Sequence, residues 1–124
     1  MEFINTPKAP AAIGPYSQAV AQGGTVYSSG IIGISPLSGD LVSDTVHGQT
    51  RQVLDNALAI LQEAGCKKED VIKTTVFLGN LGDFATVNGL YAEFFGDHRP
   101  ARSTVEVSAL PKGALVELEF IAVR

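Results

Sequence analysis

The sequence predicts an α+β fold, one mixed β-sheet with two helices packed on a single face. Three observations predict it. Residues 71–78 and two runs in the last quarter of the chain are β-branched or alternate apolar and polar residues, the period of a strand. Residues 44–64 and the stretch from Asp83 to Gly96 instead carry apolar residues at spacings of three and four, the stripe of an amphipathic helix. Finally, the order is hairpin, helix, strand, helix, strand, strand. Helices lying between strands need crossover connections, so a mixed sheet with both helices on one face is the economical arrangement.

Taken in order, Phe3-Ile4 reads as a short strand, and a loop containing Pro7, Pro10 and Pro15 follows it. Residues 18–22 and 25–29 flank Gly23-Gly24, and Gly-Gly suits the positive backbone angles of a hairpin turn. Gly30 ends the clear alternation, and residues 31–34 are apolar enough to continue the strand. Residues 35–40 form a turn-rich loop. In the first helix Val46, Val53, Leu54, Ala57, Leu58 and Leu61 make the stripe, Ser43 or Asp44 caps the start, and Gly65 ends it. Gly48 weakens its first turns. Asp83 offers a cap for the second helix, whose stripe is Phe84, Val87, Leu90, Tyr91, Phe94 and Phe95, closed by Gly96.

The last quarter carries the chemistry. In its first run Ser103, Val105 and Val107 share one face, and Arg102, Thr104 and Glu106 the other. In its second run Val116, Leu118, Phe120 and Ala122 share one face, opposite Glu117 and Glu119. The segment containing Pro111 and Gly113 that separates the runs is compatible with a hairpin loop. Aligning the two apolar faces places Arg102, Glu106, Glu117 and Glu119 together on the opposite side of the sheet, and like charges directly opposite are destabilising. Either that face is open to water, or something else covers it and supplies cations.

Composition narrows the classes. A chain of 124 residues has room for one core, so 1–124 reads as a single domain. Charged residues make up 18%, against about a quarter in average proteins. Few charges on a small body point to surface buried against other subunits, although glycine and serine can also cover a surface. The net charge of −4 and pI near 5.0 argue against nucleic acid as a partner, since such binding neutralises phosphates. Cys66 is the only cysteine, which rules out a disulfide within one chain. There is no charged-then-apolar leader and no apolar run of spanning length, so the expected state is soluble and cytoplasmic, with no membrane partner. Two distant histidines, His47 and His98, and one cysteine make no metal pattern.

Residues 100–107 (PARSTVEV), Leu110-Pro111-Lys112 and residues 116–119 (VELE) resemble the carboxy-terminal signature of the RidA (YjgF) family. Residues 13–19 (IGPYSQA), residues 26–30 (VYSSG), and Val87-Asn88 ahead of Tyr91 resemble its other motifs, in the family's order and at its spacing. The resemblance runs nearly the whole length. It implies a chorismate-mutase-like α+β fold forming a homotrimer, with the sheets facing inward.

It also orders the candidate site residues. From the residues alone, Arg102 reads as a salt bridge to Glu117 or Glu119 on a solvated face; the resemblance makes it the binder of a substrate carboxylate. A guanidinium can grip a carboxylate with two parallel hydrogen bonds. Glu117 alone is an ordinary wet strand residue, whereas the resemblance makes it the group that holds and activates water. Thr104 stands where many relatives carry cysteine. The useful groups there are main-chain N–H and C=O, so covalent thiol chemistry is disfavoured and hydrolysis stays open. Tyr16 lines the pocket in the family and is otherwise a turn-anchored aromatic. Ser29 and Gly30 allow a backbone to approach a ligand closely, or simply end a strand. Ile31 replaces a frequent glutamine, which makes that edge more apolar. Asn88 is a surface amide on its own and lies near the neighbouring subunit's cleft in the family. Cys66 reads as structural, Lys112 as a loop solubiliser, and the histidines receive no role.

The activity implied is that of an enamine/imine deaminase, a 2-iminobutanoate/2-iminopropanoate deaminase acting on C–N bonds. Its substrates are 2-aminoacrylate-type enamines and their 2-imino acid tautomers, released by PLP-dependent dehydratases. Water attacks the imine carbon and ammonia leaves, giving a 2-keto acid. No metal or cofactor is called for, because an imine is already electrophilic. The alternatives are a non-enzymatic keto-acid-binding or regulatory module, or the ribonuclease or translation-inhibitor activity ascribed to some relatives; the acidic pI counts against the last.

Overall fold

The computed structural model describes residues 1–124. Seven strands and two helices follow in the order β1 (Glu2–Ile4), β2 (Ala19–Gln22), β3 (Thr25–Ser28), β4 (Ile31–Ile32), α1 (Val46–Glu63), β5 (Val71–Leu78), α2 (Phe84–Phe95), β6 (Ala101–Glu106) and β7 (Val116–Val123). They make one mixed sheet ordered β1-β2-β3-β7-β5-β6, with β4 also pairing β7. This is the expected α+β arrangement. The Gly23-Gly24 turn has the positive φ angles (58° and 85°) that close β2 onto β3. The strand that breaks at Ser29-Gly30 resumes as β4 against the same neighbour, β7.

Both helices cover one face. Val116, Leu118, Phe120 and Ala122 of β7 point there with Thr74, Val76 and Leu78 of β5, against Val53, Leu54, Ala57 and Leu61 of α1 and Val87, Tyr91 and Phe95 of α2. Burying each large apolar side chain in this layer contributes about 1.5–3 kcal/mol. Helix α1 starts at Thr45 rather than Ser43 or Asp44, the Thr45 hydroxyl accepting from Gly48 N at 3.1 Å. Gly48 is required rather than merely tolerated, because a Cβ there would stand 2.6 Å from the Ser43 side chain. A 3-10 turn capped by Asn80 leads into α2, and Asp83 makes no side-chain capping bond. No helix is long and apolar enough to cross a membrane.

The structure corrects the reading of the last quarter in two respects. The runs do not form a hairpin: β5 lies between them, parallel to β6 and antiparallel to β7. Moreover, the faces of β6 are reversed. Arg102, Thr104 and Glu106 register with Thr74, Val76 and Leu78 on the helix side, while Ser103 and Val105 stand with Thr75 and Phe77 on the open side. Glu117 and Glu119 remain on the open side, opposite Phe77 and Thr75. The physical reason is that a period of two defines two faces without saying which is covered. Here the uncovered face is itself substantially apolar: Phe3, Tyr27 and Val105 are 68%, 46% and 42% exposed.

Candidate functional site

Two separate clusters hold the candidate residues. The first surrounds Glu117. Where β3 gives way to β4, Ser29 N donates to Gln18 O at 3.0 Å and Ser29 Oγ donates to Ser17 O at 2.6 Å. These bonds bring the loop before β2 against the strand break and open a cavity of about 650 Å3. Tyr16, Ser29, Gly30 and Ile31 line it together with Glu117. Gly30 is there for space: a Cβ would lie 2.7 Å from the Glu117 carboxyl carbon and 2.9 and 3.0 Å from its oxygens. Any larger residue would displace the carboxylate.

Glu117 is half-buried and has no ion pair, since the one salt bridge of the chain joins Arg124 to Glu2. Burial lifts its carboxyl above the usual carboxylate range, and the neighbouring Glu119 adds repulsion in the same direction. Such a group gives up and regains a proton closer to neutrality than an exposed glutamate, as general acid–base work requires.

The cavity walls are held by polar groups that the sequence reading passed over. Gln18 Nε2 donates to the carbonyls of Thr6 (3.1 Å) and Pro10 (2.8 Å) while its Oε1 accepts from Thr6 N (2.7 Å), fastening the proline-rich loop. Asn56 Nδ2 donates to Ile32 O and Ile34 O, and Gln49 Oε1 accepts from Leu115 N, tying the other wall to α1. Gln18 lies inside the quoted IGPYSQA motif, which was the available signal. Lys112, expected to be a loop solubiliser, also lines the cavity, and it is the one non-glycine residue with positive φ (58°).

The second cluster lies on the opposite face, where α2 meets the edge strand β6. Arg102 Nη1 donates to Asn88 Oδ1 at 2.8 Å, and the guanidinium carbon sits 4.7 Å from the Tyr91 ring centre and 5.5 Å from that of Phe84. The expected bridge to Glu117 or Glu119 is absent, because those carboxylates are on the other face. Arg102 therefore keeps its full charge and most of its five donors free. Thr104, on the same strand face, has a buried hydroxyl without a hydrogen-bond partner. Cys66 is buried in the core, where burial pushes its thiol up and makes it unreactive. His98 is tied to Val71 O at 2.7 Å. No three His, Cys, Asp or Glu side chains converge closely enough to hold a metal ion.

Within one chain, then, Tyr16, Ser29, Gly30 and Glu117 come together, and so do Asn88, Arg102 and Thr104, but the two sets do not meet. One offers a proton acceptor that is in no ion pair, the other a cation that is in none.

The chain matches the family described as Endoribonuclease L-PSP over residues 6–124. A human protein named 2-iminobutanoate/2-iminopropanoate deaminase is 50% identical over 121 residues, spanning 98% of this chain and 88% of its own length. The crystal structure of the YjgF gene product of E. coli superposes with a TM-score of 0.95 at 50% identity, covering 100% of this chain and 99% of that one. E. coli TdcF, crystallised with bound serine, gives a TM-score of 0.95 at 46% identity with the same coverage.

Proposed function

The chain belongs to the Endoribonuclease L-PSP family, and from that premise we propose that it is an enamine/imine deaminase. It converts 2-aminoacrylate-type enamines and 2-imino acids to 2-keto acids and ammonia. The observation that carries the proposal is the split itself: an unpaired carboxylate in a cavity and an unpaired, aromatic-backed guanidinium on the opposite sheet face. The working unit is a homotrimer of this one domain, residues 1–124. In it the edge strand β6 of one subunit meets the cavity of the next, and the apolar open faces turn inward. Human and E. coli relatives support the reading, one named for imine deamination and the other binding a small 2-amino acid.

In the composite cleft, Arg102 grips the substrate carboxylate, and main-chain groups at Thr104 and Gly30 orient it. Asn88 holds the Arg102 fork, and Tyr16 and Ile31 wall the side chain. An enamine first takes a proton from solvent at C3 to become the protonated imine. Glu117 then accepts a proton from water as the oxygen bonds to C2, giving a carbinolamine. Glu117 returns that proton to the nitrogen, the C–N bond breaks as the hydroxyl proton is released to solvent, and ammonia and the 2-keto acid remain. Positioning plus acid–base assistance of this kind supplies about 10²–10⁴-fold. No step calls on a metal or cofactor.

RNA cleavage, the activity in the family's name, is not favoured: the pI is near 5.0, and the Arg102 half-site offers one guanidinium, enough for a single carboxylate but not for a run of phosphates. A cytoplasmic setting suits the buried, unpaired Cys66. The test is purified protein added to a dehydratase that releases 2-aminoacrylate, with light scattering run alongside. Faster keto-acid formation by a particle of three times 13.0 kDa is expected. Tight keto-acid binding without acceleration would make the protein a binding module, and an active monomer would remove the intersubunit site.

A further inference from the structure

Arg102 is held without a carboxylate. An acidic side chain that fixed the guanidinium by a charge-assisted pair would also neutralise it. Here the nearest groups are the Asn88 carboxamide oxygen at 2.8 Å, the Tyr91 ring at 4.7 Å and the Phe84 ring at 5.5 Å. All three attract a cation, and none carries a full negative charge. The faces of the two rings present negative quadrupole density to the guanidinium, and the amide takes one of its N–H groups. The spacing is helical: Phe84, Asn88 and Tyr91 lie four and three residues apart, on one face of α2 above β6.

We propose that Phe84 and Tyr91 are positioning residues for Arg102, an aromatic cradle that fixes the guanidinium while leaving its charge and outer donors for an anionic ligand. A glutamate or aspartate in either place would hold the side chain equally firmly but would compete with the ligand's carboxylate. Tyr91 is itself fixed: its hydroxyl bonds to Thr74 Oγ1 at 2.7 Å, and both groups are buried. Burial also pushes the Tyr91 phenol above its ordinary range, against the opposing effects of Thr74 and Arg102, so the ring stays neutral at physiological pH. It therefore acts as a quadrupole rather than as a rival anion. Phe84, 38% exposed at the start of α2, has its ring centre 5.5 Å from the guanidinium carbon.

This rests on the reading of Arg102 as the carboxylate grip, and the test separates the two. The probe is 2-oxobutanoate, the keto acid of the proposed reaction, with binding to the assembled protein followed by calorimetry. Position 84 is filled in turn with phenylalanine and its mono-, di- and trifluorinated forms, and position 91 with the same series starting from Tyr91→Phe. Fluorine drains the ring quadrupole at nearly constant shape. A cradle predicts a stepwise loss of affinity along each series, and replacing the ring outright in Phe84→Leu should cost about threefold to thirtyfold. Melting temperatures identify any variant that fails for want of folding. If Arg102→Ala abolishes binding but both fluorine series are flat, the rings only pack and the cradle is overturned. If Arg102→Ala itself binds as tightly as wild type, the carboxylate grip falls instead.

Discussion

The Glu117 cluster and the Arg102 cluster solve opposite problems with opposite materials. Glu117 sits where strand pairing lapses, in a cavity walled by loops that are held by buried carboxamides, and its carboxylate is half-desolvated beside another carboxylate. Arg102 sits where pairing is regular, on a strand under a helix, and is backed by aromatic rings and an amide. In the first, the surroundings make the charged form costly and so raise proton affinity. In the second, they stabilise the cation without cancelling it. Had the chain placed both groups on one face, they would have paired and the charges would have spent themselves on each other. Separating them by the thickness of the sheet keeps each available, and their meeting then depends on a second subunit.

The sharpest way to break this contrast is to remove the proton acceptor. Glu117→Gln keeps the shape and should lower turnover by about a hundredfold to ten-thousandfold, while 2-oxobutanoate binding survives. Stability should not suffer. A carboxyl whose pKa is raised on folding makes the folded state bind more protons than the unfolded one, so its stabilising contribution is present at low pH and is lost as pH rises through the raised value. Removing that charge relieves the strain at neutral pH. A variant that turns over at the wild-type rate would reduce Glu117 to a wet strand residue.

Next in size is the cation. A charge-assisted hydrogen bond is worth roughly 1.5–3 kcal/mol, and a two-pronged grip supplies two. Arg102→Ala should therefore cost at least about tenfold to a hundredfold in kcat/KM. Arg102→Lys should rescue little, because an ammonium lacks the planar fork and stacks poorly between rings. Normal activity in the lysine variant, measured together with its melting temperature, would show that only charge is needed.

The pH profile tests whether the clusters meet at all. The acidic limb of kcat/KM should report Glu117, which must be a carboxylate to take a proton from water, so activity falls as pH drops through its raised pKa. A guanidinium brought close by the neighbouring subunit opposes that rise. Arg102→Ala should consequently move the limb to higher pH. A limb that stays put would mean that Arg102 and Glu117 never share a cleft.

How much of this was legible beforehand follows from what periodicity encodes. The two helices, the Gly23-Gly24 hairpin and the strands 71–78 and 116–122 each announce themselves locally, and the structure has them. The pairing of β5 between β6 and β7 is set by the crossover through α2, which leaves no mark on either strand's own pattern. The face of β6 misled for a related reason: Val105 points to a sheet face that is apolar yet uncovered within the chain. Gln18 was hidden differently, since its partners lie eight to twelve residues back in a loop without periodicity. Phe84 and Tyr91 were visible only as members of an apolar stripe, and their stacking on Arg102 depends on the reversed face.

The smallest effect belongs to Thr104. The proposed contacts at this position come from the main chain, so Thr104→Cys and Thr104→Ala should both stay active. The structure adds an energetic expectation. The hydroxyl is buried with no partner, and an unsatisfied buried hydroxyl costs about 1–3 kcal/mol. Alanine removes that cost along with a methyl group, whose loss costs about 1 kcal/mol. The balance is about 0–2 kcal/mol in favour of alanine, so Thr104→Ala should melt no lower than wild type, with each 1 kcal/mol worth about 4 °C in a domain of this size. Thr104→Val, which replaces the hydroxyl with a methyl at similar volume, should be at least as stable as wild type. If instead the valine variant folds normally but loses turnover, the hydroxyl is donating to the ligand across the cleft. Thr104 would then join Arg102 as a side-chain contact rather than a backbone one.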